Sequence, residues 1–225
     1  MSNAHTSYDI AQVLGGIETL EAAQGLFKNR MDADHYARIC RIQTPAILIK
    51  IANAIAMCDP EAIFVNSGTQ GDREWIRQHA LDKGEERPLP MARHTLHFDL
   101  KEEQGRIIDR TFYIVDPDEK VSSLALKKLR DEALEEIKSR MVGIMRAKTM
   151  IIGFYMRGPV GAPVSNPALE ITSSAYVSHS AEILYRNAFD HFDEQVKRLG
   201  HFYTNIHSQG LNRPEDLPSA RVYMD

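Results

Sequence analysis

Arg93 is the residue of this sequence best placed to bind an organic anion. It follows the charged, proline-containing segment 83–90 and lies in a stretch, residues 91–100, whose alternating apolar and polar side chains predict a strand. A guanidinium at the entry to a strand can reach into a cleft and bind a carboxylate through two hydrogen bonds. The simpler interpretation is an arginine in a solvated loop.

A first glycine-containing loop, residues 66–72, is another candidate for a binding site and includes Ser67 and Gly68. It follows a short apolar run that predicts a buried strand, and a helical pattern comes after it. The order strand, Gly/Ser/Thr loop, helix presents backbone N–H groups and the positive end of a helix dipole to an anion. The simpler interpretation is a turn in which Thr69 or Asp72 caps the helix.

A second loop, residues 157–166, connects an apolar strand predicted over 150–156 to a shorter one predicted over 169–172. Glycine lets the backbone approach another group closely, and proline stiffens a loop. Such a loop between two buried strands can line a site, although an ordinary strand connection fits equally well. Its candidate residues are Gly158, Pro159, Gly161 and Ser165.

Several kinds of active site have no motif in this sequence. It contains neither GxGxxG nor GxxxxGK[ST], and no Ser/His/Asp or Cys/His set with a known spacing. His94 and His97 would face opposite sides of a strand, and His179 and Glu182 do not form HExxH. The residues alone therefore show no recognisable catalytic set and no closed cluster of metal ligands.

Composition narrows the class of protein further. The net charge of −4 gives no overall attraction to nucleic acid or to an anionic membrane, so neither is expected as a partner. The longest apolar runs fall short of the roughly 18 residues of a membrane-spanning helix, and the amino terminus lacks a secretory signal pattern. Cys40 and Cys58 are expected to be reduced thiols in the core, which favours a cytoplasmic protein.

These candidates must be positioned by a mixture of helices and strands. The predicted helices span residues 10–27 (interrupted at Gly15 and Gly16), 46–57 after a Thr44-Pro45 cap, 124–145, and 175–199. The predicted strands span residues 62–65, 91–100 and 106–115 as a hairpin with a turn at 101–105, 150–156, 169–172, 202–206 and 221–224. The pattern predicts an α/β (α+β) fold, a mixed β-sheet packed with helices, with a helical segment (1–60) and an α/β domain (61–225) in one compact unit.

Residues 148–184 resemble the signature region in the amino-terminal domain of GTP-dependent phosphoenolpyruvate carboxykinases. The shared elements occur in one order without insertion: Lys148-Thr149-Met150, Gly158-Pro159, Gly161-Ala162-Pro163, Ser165, Leu169-Glu170-Ile171-Thr172, Ser174 and Tyr176-Val177. Upstream, Asn66-Ser67-Gly68 is similar to the Asp-Gly-Ser loop of the family. Pro90-Met91-Ala92-Arg93 is similar to its Asp-Val-Ala-Arg, whose arginine binds a substrate carboxylate.

Three positions depart from the family pattern. Thr95 stands where the family usually has a glutamate that meets the mobile lid, Tyr155 replaces a serine, and Ala168 replaces a glycine. The resemblance covers the chain from about residue 63 and is dense over 148–184. The sequence is thus expected to be a divergent member of the family.

The resemblance implies a gluconeogenic reaction in which oxaloacetate and GTP give phosphoenolpyruvate, CO2 and GDP. Mn2+ and Mg2+ would neutralise the transferred phosphoryl group and the enolate. The family's metal ligands and nucleotide site lie in a carboxyl-terminal part that would follow Asp225. The chain is therefore expected to be a truncated amino-terminal domain, a partner of the carboxyl-terminal nucleotide-binding domain of the same protein, without its own cofactor and inactive alone.

On this interpretation Arg93 would bind the carboxylate of phosphoenolpyruvate or oxaloacetate, and the Gly158–Ser165 loop would shape one wall of the cleft. Two other functions remain open from the residues. One is a stand-alone α/β module that binds a small carboxylate or phosphate without catalysis. The other is an interaction domain whose cleft receives a partner protein.

Overall fold

The computed structural model describes residues 8–98, 108–123, 126–210 and 220–225 of the chain. Within these ranges helices and strands are combined in an α/β (α+β) fold, as the sequence predicts. The helices before the first strand are α1 (Ile10–Gly15), α2 (Leu20–Arg30), α3 (Ala33–Ile39) and α4 (Pro45–Cys58). The predicted interruption is confirmed, because Gly16 takes a left-handed φ of 72° and ends α1.

The main sheet is built around strand β6 (Thr149–Arg157). Its order is β1-β6-β7-β9, in which the other strands are β1 (Ala62–Asn66), β7 (Asn166–Thr172) and β9 (Tyr203–His207). β1 is parallel to β6, β6 is antiparallel to β7, and β7 is parallel to β9. Beyond the end of β1, the two-residue strand β8 (Arg186–Asn187) pairs with Tyr155 and Met156 on the same edge of β6. The sheet is mixed, as predicted.

Helices cover both faces of this sheet. Ile152 of β6 belongs to the larger core with Ile51 of α4, whereas Ile151 belongs to a smaller core with Ile76 of α5 (Gln70–Asp82). This alternation is the two-residue period of a strand. Seven of the nine β6 residues are buried, which explains why the strand is an almost unbroken apolar run in the sequence.

A second sheet is wholly parallel, with the order β10-β4-β5. Its strands are β4 (Thr111–Val115), β5 (Leu126–Leu129) and β10 (Val222–Met224), and α6 (Arg130–Met141) follows β5. A separate antiparallel hairpin carries Arg93 between β2 (Arg87–Pro88) and β3 (Thr95–Leu96). The remaining helices of the described ranges are α7 (Ala175–Leu184) and α8 (Phe192–Leu199).

The outer edge of β1 is closed by two side chains of α3. The backbone N–H of Val65 donates to His35 Nδ1 at 3.2 Å, and Arg38 Nη1 donates to the Val65 carbonyl at 3.0 Å. An edge strand with free N–H and C=O groups can pair with another chain. These two contacts satisfy the backbone of Val65 on that edge, just before the first candidate loop begins.

The predicted helix over residues 124–145 is wrong at its start. Leu126–Leu129 forms β5, parallel to β4, and the helix begins at Arg130. The predicted hairpin of residues 91–100 with 106–115 is also wrong, because β5 and β10 occupy both edges of β4 and Thr95–Leu96 pairs with Arg87–Pro88. The predicted turn at 101–105 lies outside the described residues.

The predicted continuous helix over 175–199 is wrong in its middle. α7 ends at Leu184, and the helix resumes as α8 at Phe192. Arg186 and Asn187 instead pair with the edge of β6 that β1 leaves open. The ladder bonds of β6 therefore override the helical periodicity of this segment.

Two smaller expectations about α4 and the cysteines are corrected. The Thr44 hydroxyl makes no capping bond, and the N–H of Thr44 donates to Asp193 at 2.9 Å. Both cysteines are free, but Cys40 is exposed and only Cys58 lies in the core. Burial raises the pKa of the Cys58 thiol to about 12.

Among the described helices, none is both long enough and apolar enough to cross a membrane.

Acidification should weaken the closed edge of β1 through His35. Burial lowers the pKa of His35 below its usual 6.5, despite the opposing charge of Asp32, so the folded protein favours the neutral ring that accepts from Val65. This stabilisation is present above pH 6.5 and is lost as the pH falls through the lowered folded-state pKa. Loss of one such hydrogen bond costs about 1 kcal/mol.

The measurement is the urea-unfolding free energy at pH about 7.5 and about 5.5, for the wild type and for His35→Gln. Because a glutamine oxygen accepts a hydrogen bond at either pH, the variant should lose less stability on acidification. Equal losses in the two proteins would contradict this role of His35.

Candidate functional site

Arg93 lies at the tip of the β2–β3 hairpin. Its backbone takes a left-handed φ of 67°, and its side chain is 78% exposed. The guanidinium Nη2 lies 3.9 Å from Oε1 of Glu74, and the same oxygen accepts from Gln70 Nε2 at 2.7 Å. Since Glu74 belongs to α5, the Arg93 side chain at the hairpin tip lies beside the amino-terminal half of that helix.

The first candidate loop is held by the buried carboxylate of Asp72. Oδ2 accepts from the N–H and the hydroxyl of Ser67 at 2.8 and 2.6 Å, and Oδ1 accepts from Arg38 Nη1 at 2.7 Å. Burial acts to raise the pKa of Asp72, but the hydrogen bonds from Ser67 and Arg38 outweigh it and lower that pKa. Thr69 caps α5, because its hydroxyl accepts from the N–H of Asp72 at 3.1 Å. The loop is therefore a fixed turn as well as a candidate site.

Gly68 lets this loop lie against β8. Its φ is 78°, its N–H donates to Asn66 Oδ1 at 2.9 Å, and a Cβ at this position would lie 2.5 Å from Asn187 Oδ1. Both the backbone conformation and the space require glycine. The N–H groups of Ser67 and Gly68 thus donate to acceptors within the protein. They are therefore not free to bind an anion, and we interpret the loop as a support for the candidate site.

A buried polar cluster lies behind the loop, and sequence reasoning did not find it. Glu182 Oε1 accepts from Asn66 Nδ2 at 2.6 Å, Tyr155 Oη at 2.8 Å and Asn187 Nδ2 at 3.1 Å, while Oε2 accepts from Arg73 Nε at 3.2 Å. Burial, followed by the charge of Glu182, raises the pKa of Tyr155 well above its usual value. The sequence signal that could have indicated this cluster is Tyr155, which replaces the serine of the family pattern, because a buried tyrosine hydroxyl needs a hydrogen-bond partner.

The second candidate loop is supported by α8. The N–H of Gly161 donates to Gln195 Oε1 at 3.2 Å, and Arg198 Nη2 donates to the Ala162 carbonyl at 3.1 Å. Gly158 has a φ of 122°, and a Cβ there would lie 2.4 Å from Ser165 Oγ. Ser165 is 1% exposed, and within the described part of the chain its hydroxyl has no hydrogen-bond partner.

The structure places the Arg93 guanidinium beside Glu74 of α5, the helix that follows the Ser67–Gly68 loop. The loop with Gly158, Pro159, Gly161 and Ser165 has a different support, and its place in a common cleft with Arg93 stays a prediction. Two cavities, of about 90 and about 300 Å³, lie among the amino-terminal helices and are not lined by these residues. In the described ranges, no group of three or more His, Cys, Asp or Glu residues could hold a metal ion.

Comparison with known proteins gives a consistent family. The family described as phosphoenolpyruvate carboxykinase N-terminal domain matches residues 50–224. The phosphoenolpyruvate carboxykinase [GTP] of Pyrococcus furiosus is 35% identical over 202 residues, which cover 87% of this chain and 32% of the relative. The phosphoenolpyruvate carboxykinase [GTP] of Saccharolobus solfataricus is 30% identical over 206 residues, which cover 92% of this chain and 32% of the relative. This chain therefore spans about a third of the length of these curated relatives.

Substitution of two loop glycines should separate backbone strain from the contact with Asn187. Gly161 has a φ of 84° and open space where a Cβ would stand, so Gly161→Ala should cost about 1 kcal/mol of unfolding free energy through strain alone. Gly68→Ala adds an overlap with Asn187, whose side chain is held by Glu182 and the N–H of Phe189. Its cost should reach about 2–4 kcal/mol.

Urea denaturation of the two variants measures this difference. Equal losses of unfolding free energy would show that the loop does not depend on its contact with β8.

Proposed function

This chain belongs to the phosphoenolpyruvate carboxykinase family, as an amino-terminal domain, and we propose that it supplies part of the organic-substrate cleft of such an enzyme. The proposed reaction converts oxaloacetate and GTP to phosphoenolpyruvate, CO2 and GDP. In it, this chain binds and orients the organic acid, and a carboxyl-terminal nucleotide-binding domain of the same protein completes the site. We place the enzyme in the cytoplasm.

The observation that carries the proposal is the state of Arg93. The residue has a left-handed backbone, which costs of order 1–3 kcal/mol for a side chain other than glycine and occurs preferentially at functional sites. Its guanidinium is exposed and only loosely paired with Glu74 at 3.9 Å. It can therefore turn towards a carboxylate and donate two parallel hydrogen bonds without breaking a strong internal contact.

The role of this chain in the mechanism is binding and orientation. Holding the substrate carboxylate fixes the position of the reacting end of a small organic acid, which lowers the entropic part of the barrier. Helix α5, which carries Glu74 and follows the Ser67–Gly68 turn, provides a rigid support beside Arg93. Mn2+, Mg2+ and GTP would supply charge neutralisation and the phosphoryl group, but the described residues include no suitable metal-binding group. We assign no step through the metals to this chain.

A second candidate function is a module that binds a small carboxylate without catalysis. The exposed, loosely paired Arg93 fits that function equally well, and the family membership favours the enzyme. A complete polypeptide that binds phosphoenolpyruvate but forms no product from oxaloacetate and GTP would select the binding module.

Arg93→Ala should impair the complete enzyme without destabilising it. Loss of a charge-assisted bidentate contact should lower kcat/KM for oxaloacetate by the equivalent of about 2–4 kcal/mol, or roughly 30- to 1000-fold. The unfolding free energy should change little, because the side chain is exposed. Arg87→Ala is the matched control, since it removes another exposed arginine of the same hairpin. Wild-type kinetics for Arg93→Ala, or an equal loss in both variants, would contradict the assignment.

The isolated 225-residue chain should fold but should not convert oxaloacetate and GTP to products. The measurement is a coupled assay for phosphoenolpyruvate formation with Mn2+ and Mg2+ present, with the complete polypeptide as positive control. Turnover by the purified chain alone, at a rate that scales with its concentration, would refute the proposed division of labour.

A further inference from the structure

We propose that Glu85 is a positioning residue for Arg93, because it fixes the base of the β2–β3 hairpin to the first turn of α7. This inference rests on the proposed function, in which Arg93 binds the substrate carboxylate. It assigns a task to residue 85 of the charged, proline-containing segment 83–90, which the sequence analysis left without a function.

The hairpin cannot fix its own orientation. It has two pairs of facing residues, Arg87 with Leu96 and Pro88 with Thr95. Its tip adds backbone bonds from Leu89 to His94 and from His94 to Met91, at 3.0 and 3.2 Å. A two-stranded hairpin of this size is marginally stable at best. The position of Arg93 must therefore depend on contacts at the hairpin base.

Glu85 provides two of these contacts on the entering side through one carboxylate oxygen. Its Oε2 accepts from the Ser174 hydroxyl at 2.6 Å and from the N–H of Tyr176 at 2.9 Å. Ser174 is the cap of α7, and its oxygen accepts from the N–H of Val177 at 3.2 Å. A carboxylate at the amino end of a helix binds free N–H groups and the positive end of the helix dipole. One carboxylate thereby joins the hairpin to the helix.

Residues next to Glu85 and after β3 attach both sides of the hairpin base to the first two turns of α7. Glu86 is buried, and its Oε1 lies 2.7 Å from Nδ1 of His179 on α7. On the leaving side, the His97 ring stacks on Tyr176 with centroids 3.5 Å apart, and its Nδ1 lies 2.5 Å from the Glu85 carbonyl. Residues before β2 and after β3 thus meet at one place, the first turns of α7.

The backbone of Glu85 adds a second direction of support. The N–H groups of Glu85 and Glu86 both donate to the Ala80 carbonyl of α5, at 2.9 and 3.1 Å. The hairpin base is therefore held between α5 and α7, while the Arg93 side chain at its tip lies beside Glu74 of α5. Removal of the Glu85 carboxylate should let the hairpin turn about its base and move the Arg93 guanidinium away from its place.

A double-mutant cycle in the complete enzyme tests this role. Glu85→Ala should lower kcat/KM about 10- to 100-fold, the loss that a displacement of about 1 Å can cause. In an Arg93→Ala background the same change should cost less than about twofold, because its effect passes through Arg93. Glu85→Gln should stay within about threefold of the wild type, since an amide oxygen can accept both hydrogen bonds.

Additive losses in the cycle would overturn the proposal, because a merely structural change would act in either background. An unchanged kcat/KM for Glu85→Ala alongside an impaired Arg93→Ala would also overturn it. If Glu85→Ala does not fold, His97→Ala releases the other side of the hairpin base and should show the same non-additivity with Arg93→Ala.

Amide hydrogen exchange separates this proposal from the proposed function. In Glu85→Ala, the amides of Leu89 and His94 should exchange at least about tenfold faster, with Glu85→Gln unchanged. Faster exchange together with wild-type kinetics for Arg93→Ala would support the attachment of the hairpin and refute the substrate role of Arg93. Unchanged exchange in Glu85→Ala would refute the attachment itself.

Discussion

Strand β6 is the constraint on which the arrangement of this chain depends. It is buried over seven residues, and its two edges carry β7 on one side and β1 followed by β8 on the other. On the edge of β6 that β1 and β8 share, the β1 pairing ends at Gly153 and the β8 pairing includes Tyr155. The Tyr155 ring lies over Gly153, so that a Cβ at position 153 would be 2.3 Å from the ring. A residue larger than glycine at 153 would displace that ring, and with it the hydroxyl that donates to Glu182.

The candidate site follows from this arrangement through three carboxylates at the ends of helices, of which those of Asp72 and Glu182 are buried. Asp72 fixes the turn between β1 and α5, Glu182 joins β1, β6 and β8 to α7, and Glu85 joins the Arg93 hairpin to the first turn of α7. Each accepts two or more hydrogen bonds, so the cost of burying its charge is offset by specific partners. The rigid part of the candidate site is therefore polar, and the Arg93 side chain is an exposed cation on the hairpin that Glu85 attaches.

The sequence predicted the parts of the fold that depend on continuous burial. β1, β6 and α4 are apolar runs whose side chains are mostly buried. Each of these elements lies where the sequence predicted it. The short strands β5 and β8 were missed, because their formation depends on a free edge of a neighbouring strand that no local pattern reveals. Arg93 and the glycine loops were proposed as site residues from residue type and family resemblance, and their role stays a prediction. The contacts of Glu85 and Glu182 were not predicted, because a carboxylate with specific partners in the fold and a solvated carboxylate look the same in a sequence.

A crystal structure of the complete enzyme with phosphoenolpyruvate bound would decide whether Arg93 of this chain holds the carboxylate of the organic substrate. We expect both carboxylate oxygens at about 2.7–2.9 Å from nitrogens of the Arg93 guanidinium, with the β2–β3 hairpin still attached to α7 through Glu85. A phosphoenolpyruvate carboxylate bound by other residues, with Arg93 remaining beside Glu74, would contradict this role of Arg93.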